Sequence, residues 1–201
     1  MTDYQFTKDW FNWAPEVWTQ LIPMLPERPE RGGREFLEIG SFEGRSAVWI
    51  VENMMQDIDG LSCIDTWKGG EEHSVEDMGS VEQRFDYNTA LLEERFPNRA
   101  VHKFKGTSVQ WLALETVEQN KYDFIYIDGS HIAKDVLTDA CMAWPLLKPT
   151  GIMVFDDYMW GNPRDALHRP KIAIDAFCNL FAEEAEIIHV GYQLVVRKKG
   201  E

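Results

Sequence analysis

The chain has 201 residues, 44% hydrophobic and 27% charged, which suits one ordinary folded domain and excludes a disordered or fibrous protein. Asp and Glu outnumber Lys and Arg by 34 to 20, a formal net charge of −14; such a surface repels phosphate backbones and anionic lipid heads, so nucleic-acid and membrane-surface roles are disfavoured. No apolar run approaches the roughly 20 residues of a membrane helix, no signal-peptide pattern opens the chain, and Cys63, Cys141 and Cys178 are too scattered for metal spacing, so buried thiols in a soluble cytoplasmic protein are expected.

The first thirty or so residues stand apart. Trp10, Phe11, Trp13 and Trp18 crowd together, Pro23, Pro26 and Pro29 break any helix, and Arg31-Gly32-Gly33 reads as a hinge or linker. The expected organisation is an aromatic-rich extension over residues 1–32 and one domain over 33–201. The extension reads as a helix packing its rings on the domain, as a cap over a substrate pocket, or as both. From Glu35 on, short apolar runs alternate with helical patterns, which predicts an α/β fold with a parallel sheet. Strands are expected at Glu35–Ile39, Leu61–Ile64, Val101–Phe104, Tyr122–Ile127 and Gly151–Phe155. Helices are expected at Arg45–Gln56, from about Gly79 to Phe96, at Ser108–Glu118, after the fourth strand to about Trp144, and at Lys171–Ala182. Glu186–Val190 and Tyr192–Arg197 close the chain as a hairpin around Gly191.

Chemistry-bearing residues gather where strands end. The first strand runs into Glu38-Ile39-Gly40-Ser41-Phe42-Glu43-Gly44, a glycine-bracketed turn opening a helix, where backbone approaches a ligand closely. A pyrophosphate would meet Phe42 and Glu43 in the middle of that turn, so a nicotinamide cofactor fits poorly. Glu38 suggests a ligand carrying positive charge, such as an amino group. Asp65, at the end of the second strand, is placed to accept ribose hydroxyls, and Trp67 either stacks on a purine or packs. Gly106-Thr107-Ser108 lies at the same edge, as ligand contact or as helix cap. Asp128-Gly129-Ser130-His131 ends the fourth strand and Asp156-Asp157 the fifth. If these strands are neighbours, three carboxylates converge and call for a hard cation such as Mg²⁺. In a regular strand residues 156 and 157 point to opposite faces, so both reach one ion only if the backbone turns there. His131 is a candidate base.

In these pieces the chain resembles the class I S-adenosylmethionine-dependent methyltransferases, closest to cation-dependent small-molecule O-methyltransferases of the catechol and antibiotic-sugar kinds. The stretches that carry the resemblance are Phe36–Val48, Gly106–Ser108, Tyr122–His131 and Leu147–Tyr158. It implies a Rossmann-like, seven-stranded, mostly parallel sheet with helices on both faces, strand four beside strand one, and an antiparallel last strand. It implies that Glu38, Gly40, Ser41, Phe42, Gly44 and Ser46 surround the methionine part of S-adenosyl-L-methionine, with Asp65 and Thr66 at the ribose, and Trp67, Gly106, Thr107 and Ser108 toward the adenine. Asp128 and His131 border the same cofactor. Asp128, Asp156 and Asp157 match metal ligands for Mg²⁺, and His131 with Asp128 forms the catalytic pair. The partner expected is a small-molecule hydroxyl acceptor, without nucleic acid or membrane; a homo-oligomer is compatible. Two other classes are weighed: a nicotinamide-dependent oxidoreductase, disfavoured by the turn and the terminal hairpin, and a non-catalytic binding module that keeps the fold.

Overall fold

A computed structural model describes residues 3–70, 76–114, 118–161 and 165–200. Seven strands form one sheet: β1 Glu35–Ile39, β2 Gly60–Asp65, β3 Ala100–Lys105, β4 Tyr122–Ile127, β5 Leu147–Phe155, β6 Ala185–Val190 and β7 Leu194–Lys198. Their order is β3-β2-β1-β4-β5-β7-β6, with β7 antiparallel to both its neighbours and the rest parallel. The expected β1–β4 adjacency, antiparallel last strand and closing hairpin are all present. Six α-helices are described: α1 Ala14–Leu21, α2 Arg45–Asn53, α3 Met78–Arg95, α4 Ser108–Leu112, α5 Ala133–Ala143 and α6 Pro170–Leu180.

The central strands are buried on both faces, as parallel strands under helices must be, and this is why they read as predominantly apolar runs interrupted by Glu38 and Asp123. Phe36 and Phe124 face the layer of α1, α2 and α3, while Leu37 and Ile125 face α4, α5 and α6. The chain switches direction between β1 and β4, so the crevice outside their carboxyl ends is where such a sheet binds ligands.

Three expectations change. Helix α4 stops at Leu112, and residues 115–117 of the predicted span lie outside the described residues. Strand β5 starts four residues early, at Leu147, running through Lys148-Pro149-Thr150 with an irregularity opposite Tyr122–Phe124. Of the three free cysteines only Cys63 is buried; Cys141 and Cys178 are partly exposed. Among the described residues no helix is long and apolar enough to cross a membrane.

The N-terminal extension lies against the sheet. Trp18 on α1 is fully buried, its ring edge-on to Phe124 and Tyr126 at 5.2 and 4.8 Å. The glycine stretch is pinned too, because a side chain at Gly33 would meet the carbonyl oxygen of Ile58 at 2.0 Å. Asp59, 1% exposed, holds this connection down: it accepts from both terminal nitrogens of Arg28, from Arg34 N at 2.7 Å and from Gln56 N at 2.8 Å. Asp59→Ala leaves those donors unpaired, so the free energy of unfolding drops by about 3–5 kcal/mol. Urea denaturation measures it, and a loss below about 1 kcal/mol would refute the anchoring role.

Candidate active site

The β1–α2 turn is shaped by contact with β4. Gly40 has φ +89°, and a Cβ there would lie 2.1 Å from the carbonyl oxygen of Asp128. Two backbone bonds hold the edges together, Gly40 N to Ile64 O and Asp128 N to Ile39 O, both 2.8 Å. Phe42 (φ +47°) and Gly44 (φ +78°, at the N-cap of α2) are also left-handed, so three of the five turn residues sit in a region most side chains avoid.

Beneath the turn, Glu38 is completely buried. Ser46 Oγ donates to its Oε1 at 2.5 Å. Its Oε2 and the hydroxyl of Ser41 are buried without a well-formed hydrogen bond. Burial pushes the Glu38 acid up to about 7, and the nearby Asp65 charge adds to this, against the lowering effect of Ser41, Ser46 and Cys63. A cationic group seated beside Glu38 would reverse that cost.

Asp65 is oriented differently from expectation. Its carboxylate accepts from Ser41 N (3.0 Å) and Phe42 N (2.9 Å) on one oxygen and Trp67 N (2.7 Å) on the other, so it braces the turn and keeps about one lone pair for a ribose. Trp67 takes the packing alternative. With φ +47° its ring turns into the core, 4% exposed, against Phe85 at 4.8 Å, and its N–H donates to Phe42 O; no face is left for a purine. Thr66 Oγ1 accepts from Lys68 N. Thr107 is the N-cap of α4 in a reciprocal capping box with Gln110, so its side chain is spent on the helix. Gly106 N bonds Asp65 O. Ser108 Oγ donates to Asp139, whose acid is raised to about 6, chiefly by burial.

At the other side of the crevice β4 and β5 are parallel neighbours in register Ile127↔Phe155, so Asp128 and Asp156 leave the sheet side by side. The backbone turns at Asp157, φ +57°, as shared use of residues 156 and 157 requires. Burial, then the charges of Asp156 and Asp157, holds the Asp128 acid well above the usual carboxylate range; burial, then Asp157, lifts Asp156 to about 6. The buried Tyr126 hydroxyl stands between them, 3.0 Å from Asp128 and in contact with Asp156. Gln193 Nε2 donates to Asp156 at 3.2 Å, and its Oε1 accepts from Trp18 Nε1 at 2.7 Å. Asp157 instead faces His131, with Oδ2 to Nε2 2.6 Å, and accepts from the Tyr192 hydroxyl at 2.9 Å. The His131 ring lies 4.1 Å from that of Trp160, and Trp13 meets Tyr192 edge-on. Among the described residues no three His, Cys, Asp or Glu side chains already stand in cation-holding geometry.

Tyr126, Gln193, Tyr192 and Asp139 were not singled out from sequence. Tyr126 carried a usable signal: two residues before Asp128 on one strand, it must share its face.

The profile of a family described as a methyltransferase domain matches residues 37–158. No curated protein matches the chain significantly. The fold is similar to the O-methyltransferase TomG of Streptomyces achromogenes, involved in tomaymycin synthesis and solved with S-adenosylmethionine (17% identity, 100% of this chain and 84% of that one, TM-score 0.65). It is similar also to an O-methyltransferase of Bacillus cereus solved with S-adenosylhomocysteine (17%, 98% and 84%, 0.59). MycE of the mycinamycin pathway, solved with Mg, S-adenosylhomocysteine and mycinamycin VI, matches at 15% over 100% of this chain and 51% of that one, TM-score 0.55.

Proposed function

The chain belongs to the class I S-adenosylmethionine-dependent methyltransferase family, and from that premise we propose that it methylates a hydroxyl of a small molecule. The observation that carries the cofactor side is Glu38: a wholly buried carboxyl whose Oε2, like the neighbouring Ser41 hydroxyl, lacks a well-formed hydrogen bond, under a glycine-shaped turn. These groups fit the amino end of the cofactor's methionine. Bound there, S-adenosylmethionine supplies a methyl group on cationic sulfur. Gly40 and Phe42 would border it, and Asp128 would lie beside it at the end of β4.

The acceptor side rests on His131. Its Nε2 is held by Asp157 at 2.6 Å, a carboxylate fixed on its other oxygen by Tyr192. That pairing orients the imidazole and supports positive charge on it, the arrangement a general base needs when a hydroxyl gives up its proton. Trp160 lies against the His131 ring, and Trp13 meets Tyr192 beside Asp157.

Mg²⁺ fits the donors in charge and kind: three carboxylates, with the acids of Asp128 and Asp156 raised by desolvation and then by neighbouring carboxylate charge, make an all-oxygen set. Asp128, Asp156 and Asp157 would hold it, and it would lower the pKa of an acceptor hydroxyl. The Asp157–His131 pairing supports a second reading, deprotonation by His131 without metal. Calorimetric titration with S-adenosylhomocysteine, with and without Mg²⁺, tests the whole. Micromolar binding is expected; no heat in either condition would refute the methyltransferase activity, and a separate Mg²⁺ heat would favour the cation-dependent reading.

The cofactor affinity also carries a pH signature. Free protein takes up a proton on Glu38 as pH falls through about 7. A cationic amino group beside it favours the carboxylate and expels that proton. S-adenosylhomocysteine affinity therefore rises with pH up to about 7 and levels off above, falling below it by up to about tenfold per pH unit. An affinity flat between pH 5 and 8 would remove Glu38 from the cofactor site.

A further inference from the structure

We propose that Glu43 is a positioning residue for the cofactor turn, and that through it the segment from residue 4 to residue 10 sets cofactor affinity without touching the cofactor; this rests on the methyltransferase reading above. Glu43 occupies the middle of the Gly40–Gly44 turn, where a carboxylate only 2% exposed is costly unless fully engaged. Its partners come from far away in sequence. Thr7 donates its N–H to Oε2 and its hydroxyl to Oε1, each at 2.7 Å, and Arg84 Nε on α3 donates to Oε1 at 2.5 Å. The carbonyl of Glu43 is held as well: Asn88, completely buried, donates to it at 2.9 Å. The same Asn88 side chain accepts from Gln5 N at 2.7 Å and donates to Gln5 O at 2.9 Å, reading the segment like a strand partner. One residue earlier in the turn, the Phe42 ring packs on Trp10 with centroids 5.1 Å apart.

Side chain, carbonyl and neighbouring ring thus each tie the turn to the N-terminal segment. The turn needs such ties. Gly40, Phe42 and Gly44 all have positive φ, and a turn of that kind keeps its shape only when its surroundings over-determine it. Residues about 30 to 40 positions earlier in the chain are in this way part of the turn's geometry. Coupling between two sites is reciprocal, so whatever the segment gives the cofactor, the cofactor returns as protection of the segment.

The test uses the full chain and S-adenosylhomocysteine as probe. Glu43→Gln keeps the size of the side chain but loses its charge for Arg84 and an acceptor for Thr7; its Kd rises about tenfold or more, within the usual 5–150-fold range of coupling. Thr7→Val, which removes one hydroxyl, raises it about threefold and guards against a folding defect in the first variant. Ile174→Val, a core trimming on α6, lowers the melting temperature with the Kd unchanged. In wild type, trypsin cleavage after Lys8 slows when the ligand saturates; in Glu43→Gln it stays fast. Wild-type binding with an unchanged Kd in both turn variants, or cleavage indifferent to ligand, overturns the proposal alone. Absence of binding by wild type overturns the methyltransferase reading and this proposal together.

Discussion

Gly40→Ala should abolish measurable S-adenosylhomocysteine binding, raising the Kd by more than about 100-fold, which is about 2.7 kcal/mol. The methyl group would sit 2.1 Å from the carbonyl oxygen of Asp128, 2.5 Å from its carbon and 2.7 Å from Gly129 Cα, all backbone atoms that cannot rotate aside. Relief requires the turn to leave β4 or the end of β4 to move, and the bonds Gly40 N to Ile64 O and Asp128 N to Ile39 O oppose both. The φ of +89° adds conformational strain. Either movement displaces Ser41 above Glu38 and shifts Asp128. Gly32→Ala is the matching control: φ is +86° there too, but nothing lies within 4 Å of the added carbon, so it costs about 1 kcal/mol of stability and leaves binding alone. Calorimetry and thermal melts on both variants separate collision from backbone strain. A Gly40→Ala Kd within threefold of wild type would refute the role of this close approach.

What could be read from sequence follows from how local each cause is. Strand β1 was legible residue for residue, Glu35 to Ile39, because Phe36, Leu37 and Ile39 form a short apolar cluster with Gly33 and Gly40 close to its ends. The strand-end aspartates were legible for the same reason, since β4 and β5 deliver Asp128 and Asp156 at one rung. Strand β5 was cut short because Lys148-Pro149-Thr150 has turn chemistry, with Thr150 at φ +64°, yet pairing with β4 begins at Leu147. Trp67 was open to two readings because composition does not say which way a ring points; its positive φ does. Thr107 caps α4 and Asp65 braces the β1–α2 turn, framework roles no spacing could show. Glu43 was the least legible of all. Its partners Thr7 and Arg84 lie 36 and 41 residues away, and only the folded chain brings them to it.

His131→Ala is expected to slow methyl transfer by about 10²–10⁴-fold, the usual worth of a general base, with S-adenosylhomocysteine affinity within about twofold of wild type. The imidazole pairs with Asp157, whereas Glu38 is held by Ser46 under the β1–α2 turn, so loss of the imidazole leaves the cofactor's anchoring intact. Radiolabelled S-adenosylmethionine with an acceptor found by screening gives the rate, and calorimetry gives the affinity. A large loss of cofactor binding in this variant would sink the assignment as base. Asp157→Asn then decides between the two ways of removing the proton. If Asp157 serves mainly to orient His131, the substitution slows transfer equally with a chelator and with Mg²⁺, because the imidazole has lost the carboxylate that fixes its tautomer. If Asp157 serves mainly a cation, the variant loses its stimulation by Mg²⁺ while the basal rate with chelator stays that of wild type. The 2.6 Å contact favours the first outcome, and the mutual repulsion of Asp128, Asp156 and Asp157 is the argument for the second.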